Sequence, residues 1–102
     1  MVVNPKKWRD TFQRDKGYCR YCDTDLLGSF SSYWSATVDH IQHRSDDGND
    51  DLDNLVLACP SCNGMLSRAK HLNTVEERRD FVQKRIKEEL QGYQEWINEL
   101  RN

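Results

Sequence analysis

The chain has 102 residues, of which 36% are hydrophobic and 31% charged, and its formal net charge is -2 at pH 7. This length is typical of a single domain, and it lies in the range where a metal site commonly supplements a small core. No apolar run approaches the roughly 18 residues that span a bilayer, which excludes a membrane-embedded chain. The first residues become basic at Lys6 without the apolar segment of a secretory signal, so we predict a cytoplasmic protein.

Charge is distributed unevenly along the sequence. Residues 6–20 and residues 68–87 each carry a net charge of +4, whereas residues 44–53 carry -4. Two basic segments therefore flank an acidic one. Either basic segment could bind nucleic acid even though the net charge of the chain is negative. The alternative is that the basic side chains form ordinary solvated helix faces.

The first predicted element is a helix within residues 1–17. Asn4 is a suitable N-cap, Pro5 suits the first helical position, and Gly17 is a suitable stop. We expect a tight turn at residues 18–22, where two cysteines stand three positions apart.

The middle of the chain predicts a loop, two strands and a short helix. Residues 23–35 are rich in serine and predict a loop, and residues 36–41 predict a short strand. After a polar loop over residues 44–53, the apolar run at residues 55–59 predicts a buried second strand. Pro60 then suits the first turn of a helix that continues to about Ala69.

A longer helix is predicted over residues 74–102. Thr74 with Glu77 three residues later is a capping-box pattern, and Gly92 is a position where the helix can bend or split. Its apolar residues recur at helical spacing, and they are Val75, Val82, Ile86, Leu90, Tyr93, Ile97 and Leu100. We therefore interpret residues 1–102 as one domain, with its zinc and catalytic core in residues 18–70.

Cys19, Cys22, Cys59 and Cys62 form two Cys-x-x-Cys pairs. In a reducing compartment this spacing favours a tetrahedral zinc site over disulfides. Four sulfur ligands leave no open position, so this Zn²⁺ would be structural. The alternatives are a redox-active pair or buried reduced thiols, neither of which explains the doubled spacing as well.

Asp39, His40 and Asn63 form a second candidate cluster. Phosphodiester hydrolysis needs a base that takes a proton from water and a cation that neutralises charge on the phosphate. A neutral histidine can be that base, and carboxylate and amide oxygens bind hard cations such as Mg²⁺. The alternative is a surface aspartate beside a half-buried histidine. Neighbours on a regular strand point to opposite faces, so Asp39 and His40 can share a site only if the strand ends there.

The order Asp39-His40, Asn54-Leu55 and Cys59-Pro-Ser-Cys62-Asn63 resembles the HNH endonuclease family. The resemblance implies a small α+β fold, a zinc-stapled and treble-clef-like ββα-metal unit with an N-terminal helix and a C-terminal helical extension. It implies His40 as general base and Asn54 as the residue that braces the loop and orients the histidine. Asp39 and Asn63 would hold a catalytic Mg²⁺ or similar cation, and the four cysteines would bind structural Zn²⁺.

The predicted function is therefore metal-dependent endonuclease activity on nucleic acid, with double-stranded DNA as the expected partner. Arg44, Arg68 and His43 are the candidate phosphate contacts. An acidic calcium loop at residues 46–54 is disfavoured because Asn54 stands where the loop needs its bidentate glutamate. The alternative function is a non-catalytic zinc-dependent module that binds nucleic acid or protein.

Two interpretations of the C-terminal helix stay open. It can pair with a second copy of the chain to form a homodimer, or it can belong to a monomer in which Ile86, Leu90 and Ile97 cover Trp8 and Phe12. A small domain needs the buried area that the second arrangement provides.

Overall fold

The computed structural model describes residues 3–42, 49–69 and 71–101. In these residues the elements are, in order, α1 Pro5–Asp15, α2 Phe30–Ser35, β1 Thr37–His40, β2 Leu55–Ala58, α3 Pro60–Leu66 and α4 Val75–Leu100. A single turn of 3-10 helix, Leu52–Asn54, leads directly into β2. The structure confirms the predicted small α+β fold with its N-terminal and C-terminal helices.

The two strands form an antiparallel sheet in which Thr37 lies opposite Ala58 and His40 lies opposite Leu55. All four residues of β2 are buried, which confirms the prediction made from its continuous apolar run. The core on which the sheet rests combines side chains from the cysteine turns, α3 and α4, including Tyr21, Leu66 and Val82. The sheet is therefore held between the metal-binding turns and the helices.

Helix α1 begins and ends where local sequence signals predict. The Asn4 side chain accepts a hydrogen bond from the Lys7 backbone N–H at 2.9 Å. At the other end Gly17 has a φ of +78°, and a Cβ there would lie 2.4 Å from the Leu27 side chain. Glycine is thus favoured at this position by the backbone conformation, and a larger residue would also displace the exposed Leu27 side chain.

Asp15, the last residue of α1, covers the outer edge of β2. Its buried carboxylate accepts hydrogen bonds from the Leu57 N–H at 2.9 Å and from the side chains of Arg14 and Arg20. Burial alone raises the pKa of Asp15, but these hydrogen bonds outweigh burial and lower the pKa below its usual value. The N-terminal helix is therefore tied to the sheet through one ionised side chain.

The prediction of a loop over residues 23–35 is wrong for its second half, where α2 forms. Ser29 caps this helix by accepting a hydrogen bond from the Ser32 N–H at 3.1 Å. The Tyr33 ring packs against Phe12 of α1, with 5.8 Å between the ring centroids. Short helices are stabilised mainly by tertiary packing, so sequence periodicity over six residues could not identify this one. Helix α3 also ends three residues earlier than predicted.

Helix α4 begins with the predicted capping box, since Thr74 accepts a hydrogen bond from the Glu77 N–H at 3.1 Å. It runs without interruption through Gly92 for 26 residues, a length of about 39 Å. Val82 in its first half is buried, whereas Leu90 is 49% exposed. Leu90 is therefore not part of the buried core. No helix in the described residues is both long and apolar enough to span a membrane.

Candidate active site and metal centre

The four cysteines converge on one point between the two turns that carry them. Their sulfur atoms all lie within 4.8 Å of one another, and the Cys22 and Cys59 sulfurs are 3.7 Å apart. A tetrahedral zinc site with bonds near 2.3 Å has sulfurs about 3.8 Å apart. The cluster therefore has the donor atoms and the size of a Zn(Cys)4 centre, and we assign it as a zinc-binding site.

The four thiols shift one another's pKa because their sulfur atoms lie so close together. Hydrogen bonds from Cys19, and then from the other cysteines, lower the pKa of Cys22, and the Cys19 thiol likewise helps to lower that of Cys59 to about 6. Contacts with neighbouring sulfurs raise the pKa of Cys19 and Cys62. Four negatively charged thiolates at these distances repel one another unless a cation neutralises their charge. A structural zinc ion would do so.

Helix α4 holds the first cysteine turn in place. Arg79 binds both carboxylate oxygens of Asp23, at 2.6 and 3.0 Å, and also donates to the Arg20 carbonyl at 2.7 Å. The Arg79 hydrogen bond lowers the pKa of Asp23. One turn later, Gln83 donates to the Tyr21 carbonyl at 2.6 Å. The metal centre is therefore supported by a helix that lies outside its own ligand sequence.

Asp39 lies in β1 and forms an ion pair with a buried arginine. Its Oδ2 atom is 2.5 Å from a terminal nitrogen of Arg78, whose side chain is 1% exposed. Arg78 also donates through Nε to the Tyr21 hydroxyl at 2.9 Å and through Nη1 to the Ile41 carbonyl at 3.4 Å. Burial, followed by the negative charge of Asp39, raises the pKa of Tyr21. One carboxylate oxygen of Asp39 therefore accepts a hydrogen bond from Arg78 of α4.

His40, the last residue of β1, contacts a different part of the chain. Its Nε2 atom lies 2.7 Å from Oδ1 of Asp50, and the side chain is 15% exposed. An ionised carboxylate can only accept a hydrogen bond, so in a neutral imidazole this contact places the proton on Nε2 and leaves Nδ1 as the nitrogen with the lone pair. The strand ends at His40, as a shared site with Asp39 requires.

Asn54 connects the two ends of the loop between the strands. Its side-chain oxygen accepts from the Gln42 N–H at 2.8 Å, and its amide donates to the carbonyls of Gln42 and Asn49 at 3.0 and 2.7 Å. The backbone of Asn54 also accepts from the Ile41 N–H at 2.9 Å. These bonds join the residues that follow His40 to the residue that precedes Asp50.

Asn63 lies on the first turn of α3, directly after Cys62, and is partly buried. Its N–H donates to the Cys59 carbonyl at 3.0 Å, so the cysteine turn positions it. Helix α3 contacts β1. Among the described residues, no hydrogen bond joins Asn63 to Asp39 or His40, and their roles at a common cation remain predictions.

The candidate phosphate contacts are less well defined. Arg68 is exposed beyond the end of α3, whereas His43 and Arg44 lie outside the described residues. Several other basic residues bind within the protein instead. Lys7 donates to the Asp50 carbonyl, and Arg14 donates to the carbonyls of Leu52 and Leu55. Part of the N-terminal basic charge therefore has a structural function.

Sequence reasoning missed two residues at this site, Arg78 and Asp50. Arg78 stands in the first turns of a helix, where acidic residues are favoured over cations, and that is a weak signal of a specific role. Asp50 is one of several aspartates in an acidic segment, and nothing in the sequence distinguishes it. Arg78 was missed because its partner Asp39 is distant along the chain, and Asp50 because only the folded loop brings it to His40.

The antiparallel strands, the following helix and the cysteine cluster define a small α+β protein with a zinc-binding centre. A family model described as HNH endonuclease matches residues 19–69, which is half of the chain. The chain therefore belongs to the HNH endonuclease family, and the predicted resemblance is confirmed. Membership indicates a nuclease or another nucleic-acid function. No curated protein matches the chain.

Proposed function

We propose that this protein is a metal-dependent endonuclease that hydrolyses phosphodiester bonds in DNA, with His40 as its general base. The observation that carries the proposal is the arrangement of His40 at the end of β1, where Asp50 binds one ring nitrogen. Asp39 directly precedes His40 in the sequence, and this Asp-His order is typical of the family to which the chain belongs.

The proton transfer follows from the state of the imidazole. With Nε2–H donating to Asp50, Nδ1 is the atom that accepts a proton from the attacking water. The carboxylate of Asp50 then stabilises the imidazolium that forms, because opposite charges within hydrogen-bond distance attract. We propose that Asn54 supports this geometry by joining Gln42 to Asn49 and so holding the loop that carries Asp50.

Asp39 and Asn63 are the proposed ligands of the catalytic cation, Mg²⁺ or a similar ion. Their donor atoms are oxygens, which suit a hard cation. When bound, the cation supplies neutralisation of negative charge on the phosphate and the leaving oxygen. Arg78 holds Oδ2 of Asp39, and Oδ1 has no hydrogen-bond partner among the described residues. Arg78 therefore orients the carboxylate while one oxygen stays available.

The substrate contacts are proposed from charge and exposure. Arg68, which follows α3, is exposed and carries a cation close in sequence to Asn63. Arg44 and His43 follow β1 in sequence and complete the proposed phosphate contacts. Guanidinium and imidazolium groups bind phosphate oxygens without reading base sequence, so these residues would position DNA rather than select a site.

A supercoiled-plasmid nicking assay with His40→Ala tests the proposal. We expect loss of nicking with unchanged zinc content and circular dichroism. His71→Ala is the matched control, because His71 is an exposed histidine beyond α3 and should leave nicking unchanged. Retained nicking in His40→Ala would remove His40 from the mechanism.

The same assay separates the two metals. A mild chelator should stop nicking before zinc is released, and Mg²⁺ should restore it, because oxygen ligands bind more weakly than a four-thiolate centre. Simultaneous loss of fold and nicking, without rescue by Mg²⁺, would contradict a separate catalytic cation.

A second candidate function is a non-catalytic zinc-dependent module that binds nucleic acid or protein. The ion pair between Asp39 and Arg78 favours it, because the arginine competes with a cation for the carboxylate. DNA binding in a gel-shift assay, with no nicking in Mg²⁺ or Mn²⁺ and no Mn²⁺ binding by electron paramagnetic resonance, would support this module over the nuclease.

A further inference from the structure

The second half of α4 carries an apolar stripe of which only Ile86 packs against the core in the described part of the chain. Leu90 and Tyr93 are about half exposed, and Trp96 and Leu100 are 60% and 61% exposed. We define the apolar stripe as Ile86, Leu90, Tyr93, Ile97 and Leu100. A surface helix with no partner would normally place polar residues at such positions.

The spacing of the stripe is that of a helix-pairing surface. Its members stand four, three, four and three residues apart, the alternation that places them at the a and d positions of a coiled coil. The stripe extends over about 21 Å of helix from Ile86 to Leu100. Toward the start of α4, Val82 is buried in the core, so the stripe begins where the helix leaves the domain.

Charge along the same half of α4 is segregated by sign. Residues 84–87 contain three basic residues and no acidic one, whereas residues 88–99 contain four glutamates and no basic residue. Arg85 pairs with Glu89 in its own helix at 3.1 Å. Lys84 and Lys87 have no ion-pair partner among the described residues. A second helix that presents its acidic end to these lysines would complement them.

We propose that a second copy of this chain covers the stripe, with the two α4 helices antiparallel. An antiparallel copy places the basic part of each helix against the acidic part of the other, whereas a parallel copy places like charges together. Pairing Leu90 with Tyr93 of the other copy also pairs Ile86 with Ile97. The same alignment places Lys84 at the level of Glu99, with both side chains off the stripe.

A groove between α3 and α4 extends this surface. It has a volume of about 200 Å³ and is lined by Met65, Ile86, Glu89, Leu90 and Tyr93. In the antiparallel alignment Trp96 of the second copy lies at the level of Lys87, beside this groove. A buried aromatic anchor in an apolar groove is typical of a stable interface. The exposed Trp96 indole of one copy would thus pack at the groove of the other copy.

A two-fold arrangement would place two candidate active sites in one particle. Each copy keeps its own Asp39, His40 and Asn63, because the stripe lies beyond the part of α4 that contacts β1 through Arg78. The dimer and the proposed nuclease activity are therefore separable by experiment.

Sedimentation equilibrium of the full zinc-loaded chain tests the proposal. We expect twice the chain mass of 12.1 kDa for the native protein and the single-chain mass for Leu90→Asp. Gln91→Asp introduces the same charge one residue away, off the stripe, and should stay dimeric. Unchanged circular dichroism and zinc content establish that both variants fold, and Ile97→Asp provides an independent second disruption.

An added charge beside the stripe tests the antiparallel orientation. Gln94→Glu should strengthen the dimer by about two- to fivefold, because residue 94 flanks the stripe near Lys87 of an antiparallel partner, and adding Lys87→Glu should cancel the gain. A native chain that stays monomeric, including one that binds another protein through the stripe, would overturn the proposal. So would a Leu90→Asp dimer, or a Gln94→Glu variant whose dimer is no stronger than that of the native chain. Nicking by monomeric Leu90→Asp would leave the nuclease assignment intact.

Discussion

The cysteine cluster and the Asp39–His40 region lie at the same small sheet. They differ in which groups neutralise or hydrogen-bond their side chains. The four sulfurs face one another within 4.8 Å, as the ligands of one metal ion would. Asp39 and His40 instead contact other protein groups, Arg78 and Asp50. One region depends on a metal for charge balance, whereas the other is already balanced by the chain.

This difference separates a structural role from a catalytic one. A closed four-sulfur centre has no position for water or substrate, so its contribution is to folding. A catalytic cation must exchange ligands during turnover, and a carboxylate held by an arginine at one oxygen can bind it without leaving a buried charge unpaired. Loss of a cysteine should therefore act on stability and loss of His40 or Asp50 on activity, whereas Arg78 supports the fold through its contacts with Asp39 and Tyr21.

The largest expected effect is loss of a zinc ligand. Cys59→Ser should unfold most of the domain, because structural zinc contributes about 10 kcal/mol or more, comparable with the whole stability of a small protein. Circular dichroism and zinc content measure the outcome. Ser61→Ala, in the same turn but exposed, should leave both unchanged. A folded, zinc-free Cys59→Ser protein would contradict a structural zinc.

Removing Arg78 should be the next most damaging change. Arg78→Met leaves the Asp39 carboxylate and the Tyr21 hydroxyl without their partner, at a cost of about 3–5 kcal/mol. Urea unfolding measures the loss. Arg85→Met is the matched control, because the exposed Arg85–Glu89 pair is worth at most about 0.5 kcal/mol.

A double mutant sharpens the comparison further. If Arg78 acts mainly on Asp39, adding Asp39→Asn to Arg78→Met should recover part of the stability, because no buried charge is then left alone. Full additivity of the two single changes would show that the ion pair does not couple them.

The smallest expected effect concerns the partner of His40. Asp50→Asn should reduce nicking by about 10- to 100-fold with little change in stability, because residues that orient a catalytic side chain commonly have effects of that size. The ratio of nicking rates to native protein measures it. Asp51→Asn, an exposed neighbouring aspartate, should be neutral. Equal activity of all three proteins would remove Asp50 from the mechanism.

Local chemistry explains the elements that sequence predicted well. The cap at Asn4, the stop at Gly17 and the capping box at Thr74 each depend on residues within one turn of the helix end. The buried strand Leu55–Ala58 was predicted because a continuous apolar run seldom forms anything else when it is this short. The structure confirms all of these predictions.

Contacts between distant residues explain what was missed. Helix α2 depends on Tyr33 packing against Phe12, and Arg78 reaches Asp39 from 39 positions away. Neither pair has a recurring spacing that a sequence pattern can detect. The net charge of a basic segment was also a poor predictor of phosphate binding, because Arg14 and Lys7 donate hydrogen bonds to carbonyls of the chain itself.

The amino-acid sequence alone determined the family, the four zinc ligands and the positions of the main strands and helices, because repeated spacing and local hydrogen bonding leave few alternatives. The tertiary structure decided which charges are paired. It directed Asp50 to His40, Arg78 to Asp39 and Arg79 to the first cysteine turn, and it left Leu90, Tyr93 and Leu100 of the apolar stripe exposed. These outcomes depend on distances between elements, which are established only when the chain folds around its core.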